Sequence, residues 1–74
     1  MSRIKFYKCL RIAQAQKGIS NVGIAKEFAV HQQQVMRWRK SDSVKLELIQ
    51  DLSEFFGMTT LEFLGLDNEN RQEN

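Results

Sequence analysis

The chain has 74 residues, 42% of them hydrophobic, with a single cysteine, Cys9. That length supports one domain with a small core; it excludes an internal disulfide, and no apolar run approaches the roughly 20 residues that span a bilayer. The net charge of +2 conceals an asymmetry, because residues 1–45 carry ten Lys/Arg against Glu27 and Asp42, whereas residues 46–74 carry Arg71 against seven acids. A basic two-thirds joined to an acidic remainder implies one face for a polyanion and another turned away from it. A lone cysteine without a signal peptide fits a reduced, cytoplasmic protein. Cys9 itself reads as a small apolar residue on the first helix.

With no proline and no alternating strand pattern, the elements are helical. The first helix is predicted near 3–17, with Phe6, Leu10 and Ala13 on one face and Lys17-Gly18 as its stop. A second, near 21–28, starts at the N-cap residue Ser20, and Ile19 before it can pack on Ile24 in a hydrophobic staple. Gly23 inside this helix costs about 1 kcal/mol relative to alanine. The third, near 32–40, repeats the staple with Val30 and Val35 around His31, a weak cap by residue type. A fourth, near 45–56, shows the stripe Leu48, Ile49, Leu52, Phe55, Phe56, and Gly57 follows it. The fifth, near 60–64, opens with a Thr59-x-x-Glu62 capping box and a Met58/Phe63 staple, and is followed by Gly65. Asp67–Asn74 is polar throughout and predicted to be a disordered tail, leaving residues 1–66 as the domain.

The segment 21–40 carries the functional signal: two short helices joined by about three residues, with Ile24, Phe28, Val30, Val35 and Trp38 apolar and Ala25 small. Ala25 permits a close helix crossing and Val30 plugs the turn. Val35 and Trp38, three apart, mark the buried side of the third helix, which makes Trp38 a packing residue first. A step of about 100° per residue then turns Gln33, Arg37 and Lys40 outward, with Met36 beside them and Gln32 at the exposed start. This chemistry suits a DNA major groove: Gln pairs with adenine N6/N7, Arg with guanine O6/N7, and Met can touch a thymine methyl. A merely solvated face would more typically show Glu and Lys, yet no acid stands between Glu27 and Asp42.

Through KGISNVGIAKEFAVHQQQVMRW and LIQDLSEFFGMTTLEFLGL, residues 2–66 resemble the Cro and repressor class of helix-turn-helix proteins from temperate bacteriophages and their bacterial relatives. The resemblance implies an all-α, compact five-helix bundle, a λ-repressor-like DNA-binding domain. It implies base contacts from Gln32, Gln33, Met36 and Arg37. Backbone contacts are implied from Ser20 and Asn21, where helix amides favour an anion, and from Lys40 and Ser43 after the third helix; Gln34 is placed with the backbone contacts and could serve either role. Three departures stand out. The family's turn glycine is Ala29, which must accept a left-handed conformation or rearrange the turn. The family's Arg–Glu pair between helices one and three is replaced by Gln14 and Arg39, which leaves Arg39 for a phosphate or for Asp42. The closing stretch is one residue longer.

The expected function is transcriptional repression: a homodimer, at least on DNA, reads a pseudo-palindromic double-stranded operator. Phe55, Phe56, Leu61, Phe63, Leu64 and Leu66 divide between core and dimer surface in one reading and are all core in the other. Two other functions fit the same fold: a protein-interaction module of antitoxin or anti-repressor type, which would lack steep salt-dependent duplex binding, and a DNA-bending recombination accessory factor. An enzyme is not expected, since there is one histidine and one cysteine and no glycine-rich phosphate loop. Cys9 and His31 have no companions at metal-ligand spacing, so no metal, cofactor or small-molecule ligand is expected.

Overall fold

In the computed structural model, which describes residues 4–71, the chain forms α1 (Phe6–Lys17), α2 (Asn21–Phe28), α3 (Gln32–Trp38), α4 (Leu46–Phe55) and α5 (Thr60–Arg71), with no strand among the described residues. No helix there is long and apolar enough to cross a membrane. Helix α1 packs on α5 and α3, α2 on α3, and α4 on α5.

Three of the four connections are built from the same three-residue unit. Each consists of a left-handed residue, an apolar residue and a cap: Gly18-Ile19-Ser20, Ala29-Val30-His31 and Gly57-Met58-Thr59. In each the apolar residue's amide donates to a carbonyl five residues back: Ile19 to Gln14, Val30 to Ala25 and Met58 to Ser53, at 2.9–3.0 Å. These are Schellman closures, which satisfy the carbonyls a helix end leaves unpaired. Ile19, Val30 and Met58 also pack against the core, so one side chain closes the helix behind it and staples the one ahead. The caps differ in strength as their residue types predict. Ser20 Oγ accepts from the Gly23 amide, Thr59 and Glu62 form the reciprocal capping box, and His31 makes no side-chain cap bond.

Ala29 holds φ 54°, the only non-glycine with positive φ among the described residues. A Cβ in this region costs roughly 1–2 kcal/mol. Ala29→Gly is therefore expected to raise unfolding stability by about 1 kcal/mol, a higher urea midpoint at constant slope. A lowered midpoint would mean the turn does not hold this conformation.

The core takes Phe6, Cys9, Leu10 and Ala13 from α1, Ile24 and Ala25 from α2, Val35 and Trp38 from α3, Leu52 from α4, Phe56 just after it, and Phe63 and Leu66 from α5. All five phenylalanines and the tryptophan form one continuous aromatic run. Phe6 meets Phe63, Phe63 stacks on Phe56, Phe56 touches Phe55, and Phe28 stands edge-on to both Phe55 and Trp38, with centroids 5.3–6.2 Å apart. The run links all five helices, each pair adding about 0.5–1.5 kcal/mol beyond its buried area. Cys9 is buried, its Sγ 3.6 Å from the Leu64 carbonyl, and burial pushes its thiol pKa up.

The chain's end departs from the sequence reading. Helix α5 does not stop before Gly65 but continues to Arg71, so residues 67–71 of the expected disordered tail are helical; residues 72–74 lie outside the described residues. Gly65 costs only about 1 kcal/mol inside a helix, and burial of Leu66 just beyond it offsets that. Asp67 is not solvated; its Oδ2 accepts the Lys5 amide at 3.1 Å, at the head of α1, where Lys5 makes no side-chain cap bond of its own. The next amides, of Phe6 and Tyr7, donate to the carbonyls of Asp42 and Ser41. Asp67→Ala is expected to cost about 1–3 kcal/mol, because the amide it accepts is left unpaired. An unchanged urea midpoint would remove Asp67 as an anchor.

The first helix begins at Phe6 rather than near residue 3, since Lys5 is extended; residue 3 itself lies outside the described residues. Helix α3 closes at Trp38, two residues short of the expected end, and α4 spans Leu46–Phe55.

Candidate nucleic-acid interface

Helix α3 owes its orientation to two side chains. Val35 and Trp38 are buried against the other helices, and Trp38 is held edge-on by Phe28. The remaining surface follows from helical geometry. Gln32, Gln33, Met36, Arg37 and Lys40 are exposed, and Gln34, nearer the buried side, is half-buried. Gln33, Met36, Arg37 and Lys40 line one shallow recess. A second recess adds His31 and Gln34 to Gln33 and Arg37, and a third joins Gln34 and Arg37 to Ser41 and Lys45. Arg37 borders all three, at the centre of the exposed face.

The expected backbone-contact residues fall into two groups. Ser20 and Asn21 share a recess with Arg11, Gln14 and Arg39. Ser20 Oγ accepts from Gly23, which leaves its hydroxyl proton to donate elsewhere. Lys40 lies beside Arg37, whereas Ser43 is exposed in the connection between α3 and α4 and lines none of these recesses. Lys45, at the head of α4, stands in the recess beside Gln34 and Arg37; counting it only in the total charge missed its position.

Arg39 turns neither outward alone nor to Asp42. Its Nη1 donates to Gln14 Oε1, a charge-assisted hydrogen bond to a neutral amide in place of an ion pair. Asp42 lies instead 3.8 Å from Lys5 Nζ. Arg11, on the opposite edge of the recess, donates from Nε and Nη2 to the Arg39 carbonyl at 3.0 and 2.7 Å, with its guanidinium over the Tyr7 ring.

Charge is segregated in space as well as along the chain. No acid lines the four recesses around α3 and the start of α2, while Glu27, Asp51 and Glu54 line a separate one between α2 and α4. Of the six apolar residues weighed between core and dimer surface, Phe56, Phe63 and Leu66 are buried, Phe55 and Leu64 are half-buried, and Leu61 is 82% exposed. Among the described residues no cluster of His, Cys, Asp or Glu could hold a metal ion. No protein-family model, curated protein or solved structure matches this chain.

Proposed function

We propose that this protein is a sequence-specific, double-stranded DNA-binding transcriptional repressor whose α2 and α3 form a helix-turn-helix of the Cro and λ-repressor type. One observation carries the reading: with Val35 and Trp38 buried, α3 exposes Gln32, Gln33, Met36 and Arg37, and Lys40 just after it is exposed beside them, on a face without an acid. Each of these side chains has a partner in a major groove or on its phosphates, and an acid among them would repel the backbone. The acidic recess between α2 and α4 lies apart from this face, as a protein with a single polyanion surface requires. Two copies on a pseudo-palindrome, with half-sites about one helical turn apart, occupy a promoter and exclude polymerase.

Selection of bound duplexes from a random pool, repeated at two salt concentrations, tests this. A symmetric consensus, with affinity falling steeply as salt rises, is the expected result. An unenriched pool with salt-indifferent binding would discard the proposal in favour of a protein-interaction module.

A further inference from the structure

We propose that Gln14 is a positioning residue for a phosphate-binding recess at the junction of α1, α2 and α3, where it presents the Asn21 amide and the Arg39 guanidinium to a DNA backbone phosphate. The inference rests on the DNA-binding reading and adds a residue that makes no DNA contact itself.

Gln14 is 6% exposed, and both ends of its amide are engaged. Its Nε2 donates to the Ile19 carbonyl at 3.1 Å and to Asn21 Oδ1 at 2.9 Å, and its Oε1 accepts from Arg39 Nη1. A flipped amide would set oxygen against two oxygens and NH2 against a guanidinium, so only one orientation is allowed. The consequence passes outward through Asn21. Because Asn21 Oδ1 is held by Gln14, the Asn21 Nδ2 hydrogens are the edge left to donate, and they have no acceptor among the described residues. Backbone amides of Asn21 and Val22, at the head of α2, likewise have none.

The cations of the recess are uncompensated. Among the described residues the one ion pair is Lys5–Asp42, so neither Arg11 nor Arg39 faces a carboxylate. The neutrality of Gln14 matters here. A glutamate would hold Arg39 equally well but cancel its charge, whereas an amide fixes the guanidinium and leaves its full charge, with further N–H donors, for an oxyanion. Arg11 fixes the same corner from behind by closing on the Arg39 carbonyl. The side-chain and backbone donors of Asn21 and the unneutralised Arg39 guanidinium thus line one recess, which suits a phosphodiester.

The test compares the wild-type chain with Gln14→Glu and Gln14→Met, by melting temperature and by anisotropy of a labelled duplex across a salt series. Gln14→Glu keeps Arg39 held through an ion pair but sets an oxygen against the Ile19 carbonyl and Asn21 Oδ1, so it is expected to melt below wild type. It is expected to bind about ten-fold more weakly at low salt, with a salt slope flatter by roughly one, as one fewer phosphate is neutralised. Gln14→Met, which holds neither Arg39 nor Asn21, is expected to melt lower still and yet bind more tightly than Gln14→Glu. A merely structural role would make binding follow stability, with Gln14→Met the weaker binder; that order overturns the proposal. So does Gln14→Glu with wild-type affinity and slope. Failure of the wild-type chain to bind duplex at low salt is a distinct result, which overturns the DNA-binding reading and this inference with it.

Discussion

Trp38→Ala is expected to lower stability by about 3–5 kcal/mol, because it removes a large buried side chain where the core cannot collapse around the gap. Trp38 is 7% exposed and ends the aromatic run, with Phe28 edge-on at 6.0 Å. Domains hold roughly 0.05–0.15 kcal/mol per residue, about 4–11 kcal/mol for a chain of this length, so the loss could consume most of it. Loss of the cooperative urea transition, or a midpoint shifted by most of its range, would match. A near-normal midpoint would place Trp38 outside the core, and the outward direction assigned to Arg37 would fail with it.

Arg37→Ala is expected to leave the fold within about 0.5 kcal/mol of wild type, since the side chain is exposed. Its effect falls on binding: about 1–3 kcal/mol, roughly five- to 150-fold in affinity for the selected duplex, with relaxed preference at one base position. Lys40→Ala makes the informative contrast. Removing an ammonium that neutralises a phosphate weakens all duplexes alike and flattens the salt slope by about one, without altering base preference. Should Arg37→Ala weaken matched and unmatched duplexes equally, Arg37 would be a backbone contact and not a base reader.

The two kinds of effect arise on opposite sides of one helix, and both sides were legible from spacing. Val35 and Trp38, three residues apart, determine which way α3 turns, and the exposure of Gln33, Met36, Arg37 and Lys40 follows. Cap chemistry was equally readable, because Ser20, Thr59 and Glu62 act within three residues of themselves. Of the two conformations open to Ala29, a left-handed backbone or a rearranged turn, it adopts the left-handed one. Gly65 misled for a physical reason: a local penalty of about 1 kcal/mol is outweighed by packing that no local pattern records.

The amino-acid sequence by itself determined the all-helical class, the three-residue connections and the inner and outer faces of α3, since periodicity and capping are properties of neighbouring residues. Only the tertiary structure decided what lies beside the start of α2 and the head of α1. Arg39 reaches Gln14 across 25 positions and Asp67 reaches Lys5 across 62, and no spacing rule operates over such separations. Burial favours those partners: Gln14 and Asp67 are removed from water and take what the packing of α1 on α3 and α5 brings within reach, Asp67 through Oδ2 and not Oδ1.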